Sequence, residues 1–229
     1  MKSITKGAEC VELRRWKKLN VSTPENINYD NLGSQERTPI LDALIKEQGG
    51  LCAYTMCSIS GEPGNWRAHI EHILPRSAYP GQTSVDWPNL VACIPTGNQC
   101  CEYGAHRKGA YDAGAKPFVN PVGLGVTGQF RFRMDGEVQG LTPTAQISIS
   151  ENVLNLNHPR LVNDRRAKIQ GALDKTPSAS QALQRAAALR KSGSNGFLEP
   201  YCEAVAQVLE AYASRLQRRS TRLSGAKRK

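Results

Sequence analysis

The 229-residue sequence predicts an α+β fold, a short-stranded centre with helical extensions before and after it. Three observations carry that prediction. Short apolar runs of strand-like composition gather in the middle of the chain, at AHIEHIL (68–74), NLVACIP (89–95) and QFRFRMDGEVQG (129–140). Helical patterns bracketed by proline and glycine lie on either side of them. Five of the seven cysteines fall between positions 52 and 101, and three of the four histidines between 69 and 106, so the chemistry is concentrated in one stretch.

Four stretches follow in order. Residues 1–38 form a polar N-terminal extension with one helical segment, Val11–Leu19 (VELRRWKKL). Residues 39–117 form the central unit. It opens with a helix in which Thr38 is the cap, Pro39 the first helical residue and Gly49-Gly50 the stop, and Ile40, Leu41, Leu44 and Ile45 make its apolar stripe. LCAYTMC (51–57) is short and apolar, and the turn-rich SGEPGN (60–65) follows. The runs at 68–74 and 89–95 then read as two strands, GNQCCEYG as a turn or loop, and AHRKGAYDAG (105–114) as a helix of two or three turns. Residues 118–157 read as β structure. Phe130, Phe132 and Met134 alternate with polar residues up to Asp135-Gly136, a strong hairpin-turn signal. Residues 158–229 read as three helices, near 159–171, 177–191 and 197–216, the first two opened by Pro159 and Pro177. The last fifteen residues, RLQRRSTRLSGAKRK, carry seven basic groups and no acid, and read as a frayed or disordered basic tail.

Composition narrows the function. The formal net charge is +10 and the pI near 9.4, an excess that attracts polyanions, of which nucleic acid is the commonest. No apolar run approaches the roughly 20 residues a membrane span needs. MKSITKGAECVELRRWKK has no apolar signal core, so no membrane partner and a cytoplasmic location are expected. The odd cysteine count argues against a disulfide framework, and the clustering of five cysteines between 52 and 101 points to metal ligands or small buried thiols.

The chemistry centres on HIEHILPRS (69–77), Asn89 in DWPNL, and His106 in AHRKG. Hydrolysing a phosphodiester at neutral pH requires a base to deprotonate water, a cation to stabilise the charge that develops, and something to hold the base in place. Histidine titrates in the right range, and carboxylate with imidazole is a reasonable ligand set for a catalytic divalent ion. A strand–loop–strand–helix would bring Glu71 and His72 from the first strand, Asn89 from the loop and His106 from the helix to one place. Side chains two apart on a strand share a face, so His69 with Glu71 is the alternative metal pair. Arg107 and Lys108 are candidate phosphate contacts.

These residues resemble the HNH endonuclease family, whose pattern is an acid, then His-Ile-x-Pro-x-Ser, later Asn-Leu, and later a His or Asn on a helix. The resemblance implies the ββα-metal (His-Me finger) fold, with His72 and Asn89 catalytic (His72 the general base, Asn89 its orienting partner) and Glu71 and His106 as ligands of a divalent metal, Mg2+. MKSITKGAEC, KEQGGLCAY, DWPNLVAC, FRFRMDG and VLNLNHPRL are similar to the PtuB-like subgroup, the HNH nucleases of Septu and retron-associated antiphage systems. That implies DNA or RNA as substrate, a PtuA-like ATPase partner, and a link to a retron reverse transcriptase–ncRNA/msDNA complex. Many family members hold a structural zinc with two Cys-x-x-Cys pairs. Here the spacing is shifted, and Cys52, Cys57, Cys93 and Cys101 are the candidate Zn2+ ligands, with buried thiols as the other reading. The rival function is a non-catalytic zinc-stabilised nucleic-acid-binding or adaptor protein.

Overall fold

The computed structural model describes residues 1–96, 100–176 and 178–226. The first three residues of the GNQCCEYG turn or loop (97–99), Pro177 as a helix opener and the end of the basic tail at 227–229 lie outside the described residues. The chain is mixed α and β, with helices at both ends and small antiparallel two-stranded sheets between them. Apolar residues from all four stretches, from Met1 to Ala213, pack into one cluster.

Helix α1 (Val11–Leu19) has the predicted bounds. It buries Leu13 against the core and carries Glu12 in its first turn and Lys17 and Lys18 in its last, each sign opposing the helix dipole. Helix α2 (Ser34–Glu47) starts one turn earlier than Thr38-Pro39 suggested. Glu36 reaches back to accept from the Gly33 N–H at 2.9 Å, which satisfies an orphan donor and moves the start upstream. Pro39 therefore lies inside the helix. Ile40, Leu44 and Ile45 are its buried face. The stop is as expected. Gly49 and Gly50 have φ of 63° and 75°, and a Cβ on them would meet Leu198 and Phe197 side chains at 2.9 and 2.8 Å.

LCAYTMC folds into a tight turn in which the Cys52 N–H donates to the Cys57 carbonyl at 2.9 Å. SGEPGN makes a minimal hairpin of β1 (Gly61–Glu62) and β2 (Asn65–Trp66). The two central strands are β3 (His69–His72) and β4 (Leu90–Cys93), paired antiparallel with His69 opposite Cys93 and His72 opposite Leu90. All four residues of β4 are buried. This sheet stops at two strands because the outer edge of β4 is already bonded. The buried Gln48 amide donates to the Ala92 carbonyl at 2.9 Å and accepts from the Ala92 N–H at 2.7 Å, and Ala53 N–H donates to the same carbonyl at 3.1 Å. Helix α3 (Ala105–Lys108) is one turn rather than two or three, ended by Gly109 at φ 49°.

The third hairpin, β5 (Phe130–Phe132) and β6 (Val138–Gly140), turns through Asp135-Gly136 as expected, with Phe130 and Phe132 inward. Met134 continues the alternation but remains exposed. The stretch 118–157 is not all β: Pro143–Ile149 is helix α4, capped by Thr142, whose Oγ1 accepts from the Ala145 N–H at 3.1 Å. Three helices complete the chain, α5 (Pro159–Leu173), α6 (Ala179–Leu189) and α7 (Cys202–Ala226). His158 and Ser178 cap the first two through their side chains. Arg165 of α5 is fully buried and forms no ion pair among the described residues. It donates instead to the carbonyls of Gly136 and Leu156, both at 2.7 Å, and so ties the hairpin to the helix. Helix α7 starts five residues later than expected and runs through most of the segment read as a frayed tail.

Candidate active site

Strand alternation decides how the central histidines are used. His69 and Glu71 point to one face of β3, and Ile70 and His72 to the other.

On the first face, His69 Nδ1 lies 2.5 Å from the Pro95 carbonyl oxygen. A carbonyl only accepts, so Nδ1 carries the hydrogen and Nε2 is turned to Glu71, 3.8 Å from its Oε2. The His106 ring of α3 stands beside His69, centroids 5.3 Å apart. The other Glu71 oxygen accepts from Lys108 Nζ at 2.9 Å, and the same ammonium donates to the His72 carbonyl at 2.8 Å. Burial pushes the Glu71 carboxyl up, but His69 and Lys108 outweigh it and hold it below its usual range. Burial pushes His69 down, and Glu71 with the Pro95 carbonyl outweighs that, so His69 is raised. His106 is lowered, by burial and then by His69.

On the second face, His72 is 7% exposed. Its Nε2 lies 2.8 Å from the Ser84 carbonyl oxygen, which fixes the hydrogen on Nε2. The lone pair is therefore on Nδ1, for which no hydrogen-bond partner is found among the described residues. Tyr29 packs edge-on against the ring, centroids 4.5 Å apart. Burial, opposed by the Ser84 carbonyl, lowers the imidazole to about 4, so it is neutral at physiological pH.

Among the described residues, Asn89 forms no hydrogen bond with the imidazole. Its Oδ1 accepts from the Leu74 N–H at 2.7 Å and its Nδ2 donates to the Thr83 carbonyl at 2.9 Å. The Asn89 carbonyl also accepts from the Ile73 N–H at 3.0 Å. These bonds clamp the two ends of the loop joining β3 to β4, and the residue after Thr83 is Ser84, the partner of His72. Asn89 thus orients the His72 ring at one remove, through the backbone.

Lys108 is not a surface cation. Its side chain is 0% exposed and both its described bonds point inward, so it is unavailable to a phosphate. Arg107 is exposed, with Nε donating to the Glu151 carbonyl. The expected four-thiol set does not assemble either. Cys52 and Cys93 are both buried; burial pushes the Cys52 thiol up, but Cys93 and Thr55 outweigh burial and lower the thiol to about 6. Cys57 instead faces the Tyr201 hydroxyl at 3.0 Å, and Cys101 lies beside Tyr103. The extra residue spacing in CAYTMC lets the turn close through its backbone and rotates the second thiol away.

Among the described residues, no three His, Cys, Asp or Glu side chains meet in metal-ligand geometry. The donor types on the first face nevertheless suit a divalent ion with oxygen and nitrogen preference. His69 has the tautomer of a ligating imidazole, with Nδ1–H on a backbone carbonyl and Nε2 directed at a carboxylate. That favours His69 as the nearer companion of Glu71, with His106 beside them. Two residues of this site were missed in the sequence. Ser84 acts through its carbonyl and carries no side-chain signal. Tyr29 comes from a 3-10 turn (Tyr29–Asn31) docked by its N–H on Ser84 Oγ at 2.9 Å.

No protein-family model matches this chain, and no curated protein matches it either.

Proposed function

We propose that this protein is a metal-dependent endonuclease of the HNH type, hydrolysing phosphodiester bonds in DNA or RNA. The observation that carries the reading is the His72 tautomer: a neutral, buried imidazole held by the Ser84 carbonyl, with a free lone pair on Nδ1. A general base needs an unprotonated nitrogen in a fixed direction, and this ring has one. Glu71, His69 and His106 lie on the opposite face of β3. In-line displacement at phosphorus puts the attacking and leaving oxygens on opposite sides, so a base on one face and a cation site on the other suit a phosphate lying across the strand's end. A divalent cation held by Glu71 with His69 or His106 would stabilise charge on the phosphate and leaving oxygen. His72 Nδ1 takes the proton of the attacking water, while Asn89 and the Ser84 carbonyl keep the ring from turning. Lys108 fixes Glu71 and the strand's last carbonyl.

The order of E-H-I-L-P-R-S, N-L and H-R-K-G, and the wider likeness to PtuB-like sequences, support the same reading. They extend it to an antiphage effector in the cytoplasm, acting with a PtuA-like ATPase and a retron reverse transcriptase–ncRNA/msDNA complex. The test is cleavage of plasmid DNA and structured RNA by the purified chain, alone and with such an ATPase, with Mg2+ or with chelator. Mg2+-dependent cleavage lost in Glu71→Gln is the expected result. Cleavage that persists in chelator, or in Glu71→Gln, would sink the assignment.

A further inference from the structure

Helix α7 does two jobs along its length. Up to Ala213 it is part of the core, burying Cys202, Val205, Leu209 and Ala213. From Ser214 it leaves the body, and of residues 214–222 only Leu216 is partly covered. The nine residues 214–222 of the helix project, roughly 13 Å at 1.5 Å per residue.

The projecting part has one chemical character. Arg215, Arg218, Arg219 and Arg222 are spaced three, four and seven apart, which puts them within about 100° on one helical face. All four are exposed. The last acid of the chain is Glu210, and Arg190 already holds it, with Nη2 3.2 Å from its Oε2. Among the described residues, none of the four arginines has a carboxylate partner. Arg215 instead donates to Met134 Sδ at 2.9 Å, which docks the start of the stripe on the β5–β6 hairpin. A solvated helix face that only needs solubility carries both signs, and pairs Glu with Arg at helical spacing. This face carries one sign, unpaired, over about 10 Å from Arg215 to Arg222.

We infer that the projecting end of α7 is a nucleic-acid-binding arm that grips consecutive backbone phosphates. Guanidinium forks fit phosphate oxygens in pairs, and four of them along such a length can meet three or four phosphates of one strand. Contacts of this kind position a strand without reading bases. The proposal rests on the nuclease reading for the identity of its polyanion.

The test is binding in chelator, so that nothing is cut, measured by fluorescence anisotropy on duplex DNA, single-stranded DNA and hairpin RNA across a salt series. The variant replaces all four arginines by Gln, a good helix former. The control replaces Arg14, Arg15, Lys18 and Lys46, also exposed, and removes the same charge elsewhere. Each phosphate contact contributes about 0.9 to the slope of log affinity against log salt on duplex, or about 0.7 on single strands. The arm variant should flatten the slope by about 3 and weaken binding at least tenfold at 50 mM salt, with less than about 1 unit of slope lost in the control. The form most affected identifies the natural polyanion. An arm variant with the parent's slope on all three, or a control that loses as much, overturns the proposal. Should the Gln variant fold poorly, replacing the four by Lys must keep the slope, and losing it overturns the proposal equally. His72→Ala should bind with the parent's slope, so a failure of cleavage and a failure of the arm are separate results.

Discussion

Replacing Lys108 by Met removes the ammonium that joins Glu71 to the end of β3 while keeping much of the side chain's volume. The ammonium has 0% side-chain exposure, and it bonds a carboxylate at 2.9 Å and a backbone carbonyl at 2.8 Å. Its loss leaves a largely buried carboxylate whose one remaining ion-pair partner among the described residues is His69, 3.8 Å away. Breaking a buried pair from one side costs about 3–5 kcal/mol, because the remaining charge is uncompensated. For a chain of this size that is about 6–20 °C in Tm. Denaturant unfolding in chelator, monitored by circular dichroism, measures it. Adding Glu71→Gln to Lys108→Met should recover most of the loss, since no charge is then stranded. Saturating Mg2+ should stabilise Lys108→Met more than Glu71→Gln/Lys108→Met, because a cation bound only by the native fold adds RT ln(1 + [L]/Kd). A loss under about 1 kcal/mol, or no recovery in the double variant, would refute the burial argument.

Asn89→Asp keeps the acceptor for the Leu74 N–H but turns the donor to the Thr83 carbonyl into an oxygen facing an oxygen. It should cost about 1–3 kcal/mol and reduce cleavage more than binding, because the Ser84 carbonyl that orients His72 shifts with the loop. Equal losses in cleavage and binding would argue against that positioning role. His72 also gives an acid signature. Its folded value, about 4, lies below the ordinary 6.5, so the unfolded chain takes up the proton first as pH falls. The stability from keeping this ring neutral is present above pH 6.5 and lost down to about pH 4, at most about 3 kcal/mol. His72→Leu, measured in chelator, should show a correspondingly shallower fall over that window, and an identical pH profile would contradict the buried neutral ring.

What was legible in the sequence had local causes. Val11–Leu19, the two central strands and the Asp135-Gly136 hairpin follow from periodicity and turn chemistry alone. Helix α4 was equally legible, since Thr142-Pro143 is the same kind of opening signal as His158-Pro159, but the neighbouring hairpin drew the whole stretch into a β reading. The start of α2 was misplaced because the cap is a glycine whose partner, Glu36, lies three residues on. At the site, the identity of the histidines could be read but their directions could not. The alternation of β3 separates His72 from Glu71, and only the Ser84 and Pro95 carbonyls fix which ring nitrogen carries hydrogen. Lys108 looked like a surface cation beside Arg107, and only the one-turn helix α3 turns it inward. Backbone partners and the direction of a short helix depend on tertiary packing, which residue type and spacing do not encode.

The role proposed for His72 is that of general base in phosphodiester hydrolysis. The most direct measurement is the single-turnover cleavage rate of His72→Ala against the parent with Mg2+, on whichever nucleic acid the parent cuts, with circular dichroism confirming the fold. Loss of general-base catalysis should lower the rate about 10²–10⁴-fold with substrate affinity retained. A folded His72→Ala that cleaves within a few-fold of the parent would contradict the account.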